Sequence, residues 1–528
     1  MFNVKLNKQN EFFQLKGQPC RRDAGFCRKE NTMAEVLINA GRSYGKINKN
    51  IYGHFAEHLG LGIYQGVYVG EDSPIPNIDG IRTDVVQALK NIQVPVIRWP
   101  GGSFSESYHW KDAIGPKEKR SPIINTSWGD VVEDNSFGTH EFFKLCELVG
   151  AAPYIAANIT SGTVQELTDW VDYITNSGTS KMGQMRKENG REEPWELPYL
   201  GIGNENWTMR PEFYSDRFKL YASGLKGAGS IHQKITRIAC GPDGGDYNWT
   251  DTVMRMTDTS VMNGISLHYY TMPGYYKTDA YPWEEKAHAL DFDRAAYYRT
   301  MQRALQIEEF IENHCAIMDR YDPEKKCAFV VDEWGTWHLA EPDTNPAFLY
   351  QQNTMRDAVA AGATLNIFNN HNERVRMANI AQMVNVLQAV ILTKGEELLL
   401  TPTYYVFELY KHHQDAERVE SYVQQDLTGT EEAKVPALSI SASRDAKGTV
   451  HATVVNLDME QSQTLKCHLS GGIWKTARIR YIAGEMHEHN AFGKPEQVEI
   501  QTMDSVRIED GAMKIAIPPC CVMEITLE

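Results

Sequence analysis

The chain has no run of about 18 apolar residues, so no membrane-spanning helix is expected. It has no C-x-x-C pair. Its nine cysteines (Cys20, Cys27, Cys146, Cys240, Cys315, Cys327, Cys467, Cys520, Cys521) are scattered, which fits a reducing compartment better than a disulfide framework. There is no G-x-G-x-x-G after an early strand, which argues against a dinucleotide fold. The first 32 residues lack the apolar core of a signal peptide, and they lack the serines of a transit peptide. Cationic surface is also scarce. Net charge is −16, from 53 basic and 69 acidic residues, and such a surface repels nucleic-acid and anionic-lipid phosphates.

What is present is an ordinary globular composition at 528 residues, 42 % hydrophobic and 23 % charged, enough to bury a large core. The segment 1–33 differs from the rest. Up to Thr32 it carries seven Lys/Arg against three Asp/Glu, a net of +4, which leaves −20 on the remainder. It is expected to be a disordered basic tail, and Met33 opens a cleaner sequence.

Between residues 50 and 370 short apolar runs alternate with amphipathic stretches. The runs are GHFAE (53–57), VPVIRW (94–99), APYIAAN (152–158), YLGIGNE (199–205), TRIACG (236–241), GISLHYY (264–270), AFVVDEW (328–334) and ATLNIFN (363–369). Helical signals fall between them: a capping box Thr163–Glu166, a long periodic segment 294–319, and a stretch 346–362 opened by Asn345-Pro346. Eight strand–helix alternations predict an α/β fold, a (β/α)8 TIM barrel over residues 51–400. Short alternating runs broken by Gly, Asp and Asn predict a C-terminal all-β sandwich over 401–528, with residues 34–50 lending strands to it.

Polar residues gather at the C-terminal ends of these runs, the face where barrel enzymes carry their chemistry. Glu57, Arg98, Asn158, Asn204, Glu205, His268, Tyr270, Glu333, Asn369 and Asn370 stand there. Glu205 in GIGNENW and Glu333 in VVDEWG lie on runs four and seven, across the barrel from each other. One carboxylate kept ionised and one with a raised pKa are what glycoside hydrolysis needs. Trp207 and Trp334 are candidate apolar walls. Strand alternation turns Asp332 away from Glu333, toward the helix layer. His54-Phe55-Ala56-Glu57-His58 spells H-x-x-E-H, so a zinc-dependent hydrolase using His54 and His58 is a remote alternative. The glycines around it disfavour the helix that this chemistry requires, and no metal or cofactor is expected.

RWPGG, GNEN, SLHYY and VDEWGTWH, in that order, resemble the α-L-arabinofuranosidases of glycoside hydrolase family 51, from about Ala34 to the C-terminus. The resemblance implies a barrel with a β-sandwich, retention of configuration and no metal. It implies Glu205 as acid/base, Glu333 as nucleophile, and Asn204 on the sugar 2-hydroxyl. Glu57, Arg98, Ser103, His268, Tyr270 and Gln382 match sugar-holding or carboxylate-holding positions. Ser103 stands where some relatives carry Asn or Cys, and the loop after Trp207 is short. The implied substrates are arabinose-containing oligosaccharides, split by an exo-acting enzyme in the cytoplasm, and the implied assembly is a homo-oligomer, a hexamer. A glycosidase of the same architecture acting on β-xylosides or β-glucans is the rival. The aromatic segment 272–293 is expected to line subsites beyond the scissile sugar.

Overall fold

A computed structural model describes residues 33–225, 234–273 and 286–528. The expected basic tail up to Thr32 lies outside the described residues, as does 274–285, the middle of the aromatic segment.

Strand β1 (Met33–Lys46) comes first and does not enter the barrel. The barrel strands are β2 (Gly53–Phe55), β3 (Val96–Trp99), β4 (Ala152–Ala157), β5 (Tyr199–Ile202), β6 (Thr236–Ala239), β7 (Gly264–Thr271), β8 (Ala328–Thr336) and β9 (Val375–Ile380). Each pairs in parallel with the next, and β9 pairs with β2, which closes the ring. Helices follow the strands: α1 (Thr83–Asn91), α2 (Thr139–Val149), α3 (Val164–Thr175) with α4 (Lys181–Glu188), α5 (Pro211–Gly224), α6 (Tyr247–Met256), α7 (Arg294–Tyr321), α8 (Met355–Asn370) and α9 (Pro402–Tyr410). The Thr163 hydroxyl caps α3 by accepting from the Glu166 N–H.

The floor of the barrel is filled by Val96, Tyr154, Ile238, Ala328, Val330 and Met377. The outward residues of the same strands, such as Ile97, Ile155, Val331 and Ile380, join the helix-layer core.

The eighth strand is not where the sequence suggested. ATLNIFN (363–369) is the second half of α8, and the strand is VRMANI, 375–380. Met355 to Asn369 is buried without a break, because α8 lies between the barrel and the C-terminal sheet. A helix apolar on all sides loses its 3.6-residue signature and reads like a buried strand. Asn369 and Asn370 are therefore on no barrel rim. Asn369 accepts from Tyr52 Oη and donates to Ser441 Oγ. The expected helix 346–362 is also displaced. Pro346–Phe348 is a single 3-10 turn, and α8 begins only after Thr354, which forms a capping box with Asp357.

The C-terminal sheet contains β10 (Glu417–Gln424), β11 (Leu438–Arg444), β12 (Val450–Asn456), β13 (Gln463–Ser470), β14 (Thr476–Ala483), β15 (Gln501–Arg507), β16 (Ala512–Ile517) and β17 (Cys521–Leu527). With β1 it has nine strands, in the order β15-β14-β17-β12-β11-β10-β1-β13-β16. It curls until its edge strands β15 and β16 touch, and it encloses a second core of Val36, Ile38, Val454, Leu465, Ile479 and Ile525 among others. The cysteines of the described residues are free thiols.

Candidate active site

The site is built where β2, β3, β5, β7, β8 and β9 end. Past β3, Pro100-Gly101-Gly102 brings backbone against two carboxylates. A Cβ on Gly101 would sit 2.5 Å from Glu57 Cγ, and one on Gly102 would sit 2.8 Å from Glu333 Oε1. Only glycine leaves that room. Past β5, Gly203 has φ 93° and Glu205 itself φ 46°, so the chain turns sharply and presents the Glu205 side chain to the cleft.

Glu333 lies deepest. Its Oε1 accepts from Arg98 Nη1 at 2.7 Å, and its Oε2 accepts from Tyr270 Oη at 2.6 Å. Burial pushes its carboxyl up, but His268, Arg98 and Tyr270 together bring it below the usual range. Arg98 also donates to Asn204 Oδ1. His268 Nδ1 bridges the two acids, 2.9 Å from Glu205 Oε1 and 3.5 Å from Glu333 Oε2. Burial alone would lower His268, and the two carboxylates outweigh it and raise its pKa. An oxygen of Glu205, a ring nitrogen of His268 and an oxygen of Glu333 lie within 4.8 Å of one another. The Glu205 side chain is 27 % exposed and that of Glu333 6 %. One carboxylate therefore faces the open cleft and the other its floor.

Glu57 is a second buried acid. Its Oε1 accepts from the Gly102 and Phe104 N–H groups and Trp128 Nε1 at 3.0–3.1 Å, and its Oε2 accepts from Gln382 Nε2 at 3.0 Å. Burial and the neighbouring Glu333 still push its carboxyl up to about 7. Asn204 Nδ2 and Gln382 Oε1 are buried atoms without a partner among the described residues.

The structure thus joins Glu57, Arg98, Asn204, Glu205, His268, Tyr270, Glu333 and Gln382 in one network, and Ser103 lines the same cleft, a cavity of about 620 Å³. Three expectations are corrected. Asp332 faces into the barrel, not the helix layer: it accepts from Tyr154 Oη at 2.9 Å and lies 3.8 Å from Arg98 Nε. Strand β8 shifts register against both neighbours around this point, so consecutive residues reach the same guanidinium. Trp334 is no wall of the cleft. It faces the helix layer, edge-on to Phe368. His54 and His58 share no site. The His54 ring packs on Phe407 and the His58 ring stacks on Phe104.

Among the described residues, three groups converge closely enough to hold a cation: Glu205–His268–Glu333, His412–His451–Glu524 and Glu308–Glu312–His371. In the first, both Glu333 oxygens already accept hydrogen bonds.

Family models describe related segments: the α-L-arabinofuranosidase 1 domain matches residues 88–288, and the α-L-arabinofuranosidase C-terminal domain matches 332–521. An intracellular exo-α-L-arabinofuranosidase of Bacteroides ovatus is 44 % identical over 94 % of this chain and 96 % of its own. The chain belongs to the α-L-arabinofuranosidases of glycoside hydrolase family 51. Among solved structures, the family 51 arabinofuranosidase of Xanthomonas axonopodis pv. citri superposes with a TM-score of 0.90 at 42 % identity, covering 94 % of this chain and 100 % of that one. The Thermotoga maritima α-L-arabinofuranosidase, solved with arabinose, gives a TM-score of 0.79 at 28 % identity over 93 % of this chain and 99 % of its own.

This family 51 chain holds further cleft residues, of which Lys286 falls in the segment 272–293 that was expected to line subsites. Trp128, Asp243, Lys286 and Trp337 line the cavity, with Lys286 Nζ 3.9 Å above the Trp337 ring. Glu106 acts from behind. It accepts from the Asn204 N–H at 2.6 Å, Asn206 Nδ2 at 3.0 Å, the Ile159 N–H at 3.1 Å and the Thr160 N–H at 2.7 Å. It ties the ends of β4 and β5 together and holds the Asn204–Asn206 turn. Its position three residues after Ser103, within the loop that follows RWPGG, was the available signal.

Proposed function

We propose that this protein releases terminal α-L-arabinofuranosyl residues from arabinose-containing oligosaccharides by double displacement. A Glu333 oxygen attacks the anomeric carbon while Glu205 protonates the leaving glycosidic oxygen. Glu205 then takes a proton from a water that attacks the glycosyl-enzyme, and arabinose leaves with Glu333 freed. The convergence of the Glu205 and Glu333 oxygens within 4.8 Å carries this reading. Retaining glycosidases hold their carboxyl groups about 5–5.5 Å apart, whereas inverting ones leave room for a water at about 6.5 Å or more.

The contrast between the two acids supports the roles. Glu333 is ionised by Arg98, His268 and Tyr270 at the floor, as a nucleophile requires. Glu205 faces the mouth, where leaving group and water pass. The unpartnered Asn204 Nδ2 and Gln382 Oε1 offer a donor and an acceptor to sugar hydroxyls. Glu57, Ser103 and Tyr270 complete the arabinose pocket in this reading, with Arg98 and His268 holding the acids. The loop carrying Trp128 meets the turn after β8: a Cβ on Gly129 would lie 3.1 Å from Asn345 Nδ2 and 3.2 Å from Phe348 Cε1. The two loops that meet here carry Trp128 and Leu349, both of which line the cleft.

The reading also assigns 51–400 to a catalytic barrel and 401–528, with 34–50, to a sheet domain. It places the enzyme in the cytoplasm as a homo-oligomer, a hexamer, on the family resemblance. Light scattering on the purified protein tests the assembly.

Glu333→Ala is expected to abolish turnover on every substrate. Glu205→Ala should retain activity on an aryl arabinofuranoside with a good leaving group, and azide should accelerate it while yielding an azide adduct of retained configuration. Equal loss in both variants without azide rescue would overturn the assignment.

A further inference from the structure

The proposed reaction uses the floor of the cleft and leaves one stretch of its wall without a role. Beyond Ala239, the last residue of β6, the chain from Gly241 to Gly244 continues beside β7. The Gly241 N–H donates to Ser266 Oγ at 2.9 Å, the His268 N–H to the Pro242 carbonyl at 3.2 Å, and the Gly244 N–H to the His268 carbonyl at 3.0 Å. Glycine at 241 permits this approach, since a Cβ there would overlap the Ser266 carbonyl oxygen. Gly244, at φ 46°, then turns the chain. Asp243 is held opposite His268, with which it forms an isolated parallel bridge. The His268 ring is the one that binds Glu205 Oε1 at 2.9 Å, so Asp243 stands beside the acid/base.

Two observations aim Asp243 at a ligand. It lines the cleft together with Glu205 and Trp207, and its carboxylate makes no hydrogen bond or ion pair among the described residues. Desolvation by the cleft walls and the charge of Glu205 push that carboxyl up to about 6, which leaves it ionised near pH 7. An ionised carboxylate only accepts, and it can take hydrogen bonds from two neighbouring hydroxyls at once. Trp207 is tied to the same segment. Its Nε1 donates to the Gly241 carbonyl at 2.9 Å, and its half-buried ring stands edge-on to His268. An aromatic ring beside a free carboxylate suits a sugar, which offers apolar C–H surface next to hydroxyl donors.

Glu205 hands its proton to the departing oxygen, so the departing group lies on the Glu205 side of the cleft. We propose that Asp243 and Trp207 hold the leaving sugar there, Asp243 by accepting hydrogen bonds from its hydroxyls and Trp207 by covering its apolar surface. Asp243 then selects glycosyl leaving groups over groups without hydroxyls. This assignment rests on Glu205 being the acid/base.

The test compares three substrates on the full chain: an arabinobiose, an arabinofuranosyl xylotriose and nitrophenyl arabinofuranoside, whose leaving group carries no hydroxyl donor. D243A and D243N should fold, by circular dichroism, and should lower kcat/KM on the two oligosaccharides about 10- to 100-fold more than on the aryl substrate, the range expected for hydrogen bonds to a charged group. W207L should show the same bias. Equal losses on all three substrates overturn the subsite, because they mean that Asp243 acts through Glu205 or His268. Unchanged kinetics on the oligosaccharides overturn it as well. Azide rescue of E205A on the aryl substrate reads the acid/base independently: if that rescue fails, the role of Glu205 falls first, whereas rescue beside equal losses in D243A removes the subsite alone.

Discussion

Glu57 and Glu333 are tuned in opposite directions by what surrounds them. Tyr270 contributes a hydrogen bond to the charged form of Glu333, and such bonds are worth about 1.5–3 kcal/mol. Tyr270→Phe should lower kcat/KM roughly 10- to 100-fold with the melting temperature little changed, checked by steady-state kinetics beside calorimetry. His268 makes a prediction in pH. Its folded pKa lies above its ordinary value because two carboxylates flank it. The folded state therefore binds its proton more tightly than the unfolded chain. That contribution to stability is complete below the ordinary histidine value and is lost as pH rises through the raised folded value. His268→Gln should be less stable than the unsubstituted protein at pH 6, and the gap should narrow at pH 9. Urea melts at both pH values give the comparison. A gap unchanged with pH would remove the imidazolium from the account.

At the scale of elements, the turns after β3 and β5 decide where the acids point. Gly102→Ala places a methyl 2.8 Å from Glu333 Oε1 and 3.3 Å from Phe55 Cζ. The nucleophile must move, and an ångström of misplacement costs about 10²-fold in rate. The variant should keep its fold and lose that factor in kcat. Elements also explain what was legible. Seven of the eight barrel runs were readable because their apolar stretches are short and bounded, and the polar strand ends Glu57, Arg98 and Glu205 gather at one end of the barrel. The eighth was not, because α8 is buried on both faces and VRMANI carries an arginine and an asparagine. Alternation misplaced Asp332 because a register shift is invisible to a period-2 rule. Glu106 and Trp128 escaped notice because the groups they bind, such as Asn204 and Glu57, are distant in sequence.

Among the described residues, α8 packs against both the barrel and the C-terminal sheet. Asn366 Oδ1 accepts from Ser441 Oγ and Thr453 Oγ1, each at 2.8 Å, and its Nδ2 donates to Ser439 Oγ at 3.2 Å. Asn366→Ala removes all three of these hydrogen bonds and should cost about 1–3 kcal/mol, read as a lower melting temperature with unchanged KM. Charge acts at this scale too. The net −16 bears on solubility, since a neutral sugar is neither steered nor repelled by it.

The sequence by itself determined the architecture class and the family. Periodicity and strand-end motifs are local properties, and local chemistry writes them directly into the chain. The tertiary structure alone decided the rest. Nothing local says that β1, the first described strand, pairs in parallel with β13, more than 400 residues away. Nor does it say that Arg98 and Tyr270 clasp one carboxylate. Those outcomes depend on which distant segments pack together, and packing is a property of the whole chain.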